Sequence, residues 1–148
     1  MTLENLLKIG QLKSHATSKE EVQRLLASAR RNLADAEVEA ISTETRFDSA
    51  YKAIMQASLV ALMANGYRPD TSRPGHHVTT IQSLPTTIGL PSARMVVLDV
   101  LRRKRNLADY TGDWIDETLM ESSIAEAKAL LRDVEAWLQE HKPGLLEE

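Results

Sequence analysis

The residues best suited to chemistry lie between Leu101 and Trp114, LRRKRNLADYTGDW, where Arg102, Arg103, Lys104 and Arg105 form an unbroken run of cations. Asn106, Asp109 and Tyr110 follow before Gly112 breaks the run. Guanidinium and ammonium groups neutralise a phosphate or carboxylate, an amide orients it, and a phenol donates to it. The stretch is therefore a candidate site for an anion such as an RNA phosphate, which Arg102, Arg103, Lys104, Arg105, Asn106, Asp109 and Tyr110 could contact. A structural reading stands beside it. Arg105 and Asp109 have the i, i+4 spacing of a helix ion pair, and cations near a helix C-terminus complement the macrodipole.

Other reactive side chains are sparser. His76 and His77 lie in a Pro- and Gly-rich stretch, where adjacent imidazoles do not converge on one metal; a loop or helix-cap role is expected, with a base role in reserve. The acidic pairs Asp113/Asp116 and Glu147/Glu148 lack metal-site spacing, and there is no Gly-rich phosphate loop or Ser nucleophile motif. No metal and no cofactor are expected. Without cysteine there is no disulfide framework, thiolate site or Cys nucleophile, which suits a reducing cytoplasm. The net charge of -3 gives no global attraction to a polyanion, so any such attraction must come from the local cluster.

The elements that must position these residues are helices. Ser18 and Glu21 have the spacing of a capping box, and Val22, Leu25, Leu26, Ala29, Leu33 and Ala36 then recur on one face. From about Thr43 a second stripe runs through Phe47, Ala50, Tyr51, Ile54, Ser58, Ala61 and Leu62, ending where Gly66 supplies a left-handed C-terminal residue. Tyr51 on that stripe reads as core or as an interhelical hydrogen bond. Tyr67 to Pro91 is loop with a short helix at HVTTIQSL. Ala93, Val97, Val100, Leu101 and Leu107 or Ala108 mark a third long helix that Gly112 stops. Met120, Ile124, Ala127, Leu131, Val134 and Leu138 mark a fourth, capped by Asp116. Trp114 and Trp137 are expected to anchor packing, with Trp114 close enough to the cationic run to flank a site. No strand is expected.

With a composition of 43% hydrophobic and 26% charged residues over 148 positions, one domain spanning 1–148 is expected, with a short N-terminal helix at 1–12 and a core bundle at about 18–142. The fold class is all-α, an antiparallel up-and-down four-helix bundle with additional short helices. No stretch is apolar enough to span a bilayer, so a cytoplasmic protein is expected. Helical bundles host unrelated functions, so periodicity alone goes no further.

RFDSAYKAIMQASLVALMANGYRP, PGHHVTTIQSL, VLRRKRNLADYTG and ESSIAEAKALLRDVEAWL, in that order, resemble the HEPN domain, in particular members associated with minimal nucleotidyltransferases. The likeness runs from about Glu20 to His141 and centres on Arg105-Asn106-x-x-Asp109-Tyr110. It implies a two-fold dimer whose motif helices share a cleft, a nucleotidyltransferase antitoxin as partner, and RNA or a nucleotide as ligand. Ribonuclease members carry an Arg, a short polar spacer and a His, because metal-free RNA cleavage needs a base for the 2′-hydroxyl and a cation for the charge on phosphorus. Here Tyr110 stands where that His would be, and a phenol titrating near 10 is a poor base at neutral pH. Arg103 also satisfies the looser spacing; Asn106 favours Arg105, so the resemblance implies Arg105, Asn106 and Tyr110 as candidate catalytic residues and Arg102, Arg103, Lys104 and Asp109 as candidate substrate contacts. The resemblance thus implies a component of a toxin-antitoxin or defence-type system with metal-independent endoribonuclease activity. Two alternatives are a non-catalytic module that binds the same ligands or partner, and a purely structural bundle.

Overall fold

The computed structural model describes residues 2–146, so the Glu147/Glu148 pair lies outside the described residues. The protein is an all-α helical bundle. Its elements are α1 (Leu3–Lys8), β1 (Leu12–Ser14), α2 (Lys19–Ala36), α3 (Thr43–Ala64), β2 (Tyr67–Pro69), α4 (His76–Gln82), α5 (Leu84–Thr87), α6 (Ser92–Thr111), α7 (Glu117–His141) and a final 3-10 turn (Pro143–Leu145).

Local signals set the helix ends. Ser18 Oγ accepts the Glu21 amide at 3.1 Å and Asp116 Oδ1 accepts the Leu119 amide at 2.7 Å, each satisfying a donor that the first turn leaves open. The Glu21 carboxylate does not close the expected box with Ser18; it takes His15 at 2.6 Å and Thr17 at 2.8 Å, tying the approaching chain to α2. Gly112 ends α6 at φ 71°, a conformation that would strain any residue with a Cβ.

The expected stripes of α2, α3 and α7 face one core. Phe47, Tyr51, Ile54, Met120, Val134 and Leu138 are all buried in it, and enclosing a side chain the size of Phe47 contributes about 1.5–3 kcal/mol. Cross-helix contacts fix the directions. Ala36 O accepts from Arg46 while Gln56 bridges Ser28 and Asn32, so α3 runs back along α2. Arg30 pairs with Glu135 and Lys128 with Glu37, so α7 also runs against α2. Arg94 pairs with Asp133, joining the start of α6 to the second half of α7.

Four expectations need correction. Residues 12–14 pair antiparallel with 67–69, Leu12 opposite Pro69 and Ser14 opposite Tyr67, making a two-stranded ribbon where no strand was expected. Three-residue strands are too short for a period of two to register, yet this ribbon holds Leu12 against Leu3 and Leu62 and sets Pro69 beside α3. The N-terminal helix accordingly ends at Lys8. In α6 the buried face is Leu98, Asp99 and Leu101, whereas Val97 and Val100 are exposed and Ala93 is open to solvent. The cause is that α6 leans mainly on α4 and touches α3 and α7 more lightly, so its core-facing arc is narrow. Finally, Trp114 is 88% exposed and anchors nothing, while Trp137 packs on the core and stacks against His141.

Candidate functional site

Helix α6 divides the four cations of its last turns. Asp99, one turn earlier, is buried and accepts from Arg102 Nε at 2.8 Å, while its other oxygen lies 3.0 Å from Arg103. Burial pushes the Asp99 carboxyl up, and the hydrogen bond and charge of Arg102, then Arg103, more than reverse this, leaving it below its ordinary value. Arg102 and Arg103 are thus committed to a carboxylate of their own helix. Lys104 faces outward beside Leu107 and Trp114.

Arg105 turns the other way, toward α3 and α4. Its guanidinium carbon sits 5.0 Å from the centroid of the Tyr51 ring, a cation–π arrangement. Asp48 lies 3.5 Å from Nε and Asp109 3.8 Å from a terminal nitrogen. Those are ion-pair distances, but neither carboxylate completes a hydrogen bond to Nε, which is buried without an acceptor. A buried guanidinium donor left unmet is costly, and Arg105 also lines the space in front of α3.

That space is a cavity of about 440 Å³ between α3, the segment after β2, and α4, within the size range of small-ligand sites. Met55, Leu59 and Pro69 give it an apolar wall; Lys52, Asp48 and Arg105 stand on its charged side. Gln56, also on the wall, is held from behind by Asn32 and Ser28, each at 2.8 Å. His76 and His77 complete the lining.

Of the two roles expected for the histidines, loop or helix end, the second holds: they open α4, directly after Gly75 at φ 82°. Tyr51 Oη is 3.0 Å from His77 Nδ1, and the His76 ring meets His77 edge-on at 4.7 Å between centroids. Burial raises the Tyr51 phenol to about 12, with Arg105 and Arg102 drawing it back only in part, so it remains protonated. Burial also pushes His77 down, and the charges of His76, Arg105 and Arg102 add to that, so its imidazole is neutral at pH 7. A neutral imidazole, a protonated phenol and a guanidinium thus share one pocket. No cluster of three or more metal-ligating side chains forms among the described residues.

Within one subunit the expected trio of Arg105, Asn106 and Tyr110 does not converge. Residues five apart on an α-helix lie about 140° apart around its axis, and Tyr110 accordingly points away from the cavity, 90% exposed. Asn106 is exposed as well. Tyr110 belongs to another feature: Val96, Val100, Leu107, Tyr110 and, just past the helix, Trp114 make an exposed apolar stripe along α6. Sequence reasoning did not assign Asp48 or Tyr51 to the site and held His77 only as a reserve base. The one available signal was that Tyr51 places a hydroxyl on an otherwise apolar stripe, which demands a partner when buried.

Comparison with family models, curated proteins and solved structures gives no match. Among the described residues no helix is long and apolar enough to cross a membrane.

Proposed function

We propose that the protein is a HEPN-like RNA-binding component of a toxin-antitoxin or defence-type system, and that it engages an RNA phosphate at Arg105. The observation that carries this reading is the buried Nε of Arg105, which lacks an acceptor at the edge of a cavity large enough for a nucleotide. A phosphate oxygen accepts from such a donor, and guanidinium geometry suits phosphate better than an ammonium does. The apolar wall of Met55, Leu59 and Pro69 suits an unstacked base, the form in which single-stranded RNA is read.

The reading includes a two-fold dimer through α6. Its support is the exposed stripe from Val96 to Trp114, since apolar surface gathered along one helix face marks an interaction site. The same stripe favours a second reading, in which the bundle is a non-catalytic module that uses Tyr110 and Trp114 to hold a nucleotidyltransferase partner. Both readings put the chain in the cytoplasm.

Binding of a single-stranded RNA, followed by fluorescence anisotropy over a salt series, tests the main reading. Arg105→Ala is expected to weaken binding by about tenfold or more, the loss of a charge-assisted contact of ~1.5–3 kcal/mol. Lys128→Ala, which removes a cation paired with Glu37 and absent from the cavity lining, is expected to leave binding nearly unchanged. Equal losses at both positions would show diffuse attraction and no site.

A further inference from the structure

We infer that the outer face of α6 is a docking seam for an amphipathic helix of another chain, one that carries carboxylates over Arg103 and Lys104. This rests on the second reading above, a partner held at Tyr110 and Trp114, and names that partner by its chemistry.

Spacing defines the seam. Val96, Val100, Arg103, Leu107, Tyr110 and Trp114 follow one another at intervals of four, three, four, three and four residues, the repeat by which one helix packs along another. This is not the face that α6 gives to its own bundle, where Leu98, Asp99 and Leu101 are buried. Val100, the most covered apolar member, is still 40% exposed, and the Arg103 side chain is 69% exposed. From Val96 to Tyr110 the seam runs about 21 Å, the length of a partner helix of about fifteen residues. Beside its C-terminal end Lys104, Leu107, Trp114 and Leu119 line a cavity of about 190 Å³, in which an apolar side chain of the partner fits.

Charge selects the occupant. Helix α6 carries five cations and two carboxylates. Asp99 serves both Arg102 and Arg103, Asp109 lies against Arg105, and Lys104 makes no ion pair among the described residues. The middle of the seam thus holds positive charge in excess, with no carboxylate of α6 left to meet it. A second copy adds to the excess. Antiparallel two-fold pairing that covers the apolar residues centres near residue 103 or 105, and either register brings Arg103 and Lys104 of both copies within about 6 Å of each other along the axis. Parallel pairing sets Arg103 on Arg103. Like charges facing across an interface disfavour that pairing, whereas opposite charges fix partner and register. An acidic helix therefore takes the seam in preference to a second α6.

The test titrates the full chain into fluorescein-labelled helical peptides with identical heptad leucines and either Glu, Gln or Lys at the positions facing Arg103 and Lys104. Anisotropy reads binding, and sedimentation reads the state of the chain. The Glu peptide is expected to bind about tenfold or more tighter than the Gln peptide, the Lys peptide more weakly still, and the Glu peptide should disperse dimers of the chain into one-to-one complexes. Arg103→Gln combined with Lys104→Gln should abolish the difference between the Glu and Gln peptides. Leu107→Ser combined with Trp114→Ala should weaken both. All four side chains are exposed, and circular dichroism checks that each variant keeps its fold. Equal binding of the Glu and Gln peptides, or a preference that survives the double Gln variant, would overturn the acidic partner and leave the stripe as an interface. Peptide binding and sedimentation both unchanged by Leu107→Ser with Trp114→Ala would overturn the second reading itself. Single-stranded RNA that binds through Arg103 and Lys104 when no peptide binds would assign these cations to RNA and sink the proposal.

Discussion

Tyr51 and His77 are 26 positions apart in sequence yet meet at 3.0 Å, phenol oxygen to imidazole nitrogen, in the wall of the cavity that Arg105 also lines. The contact joins α3, the most enclosed helix, to the first turn of α4, whose entry is set by the left-handed Gly75. A ring on a short helix is thus tied to a side chain of the core.

The pH response of this pair has a definite sign. His77 is pushed below its ordinary 6.5 in the folded protein, so the unfolded chain binds the proton more readily. Its contribution to stability is full above about 6.5 and is lost as pH falls through the lower folded value. Tyr51 behaves oppositely: raised to about 12, it contributes fully below an unfolded value near 10 and loses that contribution as pH rises toward 12. The charges that act on His77 are those of His76, Arg105 and Arg102, all of which favour its neutral form. An NMR titration of the imidazole signals is expected to give His77 a midpoint below 6.5, and Arg105→Ala should move it upward.

Asp99 is the hinge of the cationic run. Asp99→Ala leaves Arg102, which is only 13% exposed, without its carboxylate, and is expected to cost about 3 kcal/mol in urea unfolding. Arg103→Ala removes the more exposed partner and should cost less than ~1 kcal/mol. Similar small losses for both would show that the buried carboxylate does not organise the turn.

Tyr110 and Trp114 are nearly fully exposed, so truncating them should hardly change stability, within ~0.5 kcal/mol. Their expected effect is on association. Sedimentation should show wild-type dimers and a shift to monomers for the double alanine variant; a variant that sediments like wild type would remove the stripe from the interface.

The legible part of this protein was the part governed by helical period. The stripes of α2, α3 and α7 were readable because each packs on two neighbours, which demands a regular apolar arc. Helix α6 was misread because it leans mainly on one short helix: Val97 and Val100 continue an apolar pattern that faces outward, and Asp99 takes a buried position because Arg102 and Arg103 can reach it from one turn on. Arg105 stood out as a cation, but its direction depended on rotation about an axis that tertiary packing sets. Tyr51 and His77 carried no joint signal, since nothing local ties residue 51 to residue 77. The ribbon of β1 and β2 was too short to show a period and included Pro69.

The most direct measurement follows the Arg105 Nε–H and His77 ring signals by NMR as 2′-O-methyl single-stranded RNA is added to the full chain. An RNA phosphate seated in the cavity gives that buried donor the acceptor it lacks, so the Arg105 signal should move strongly and saturate together with the His77 signals. RNA that binds while Arg105 and His77 stay unmoved, with changes confined to Lys104 and the outer face of α6, would contradict the cavity as the site.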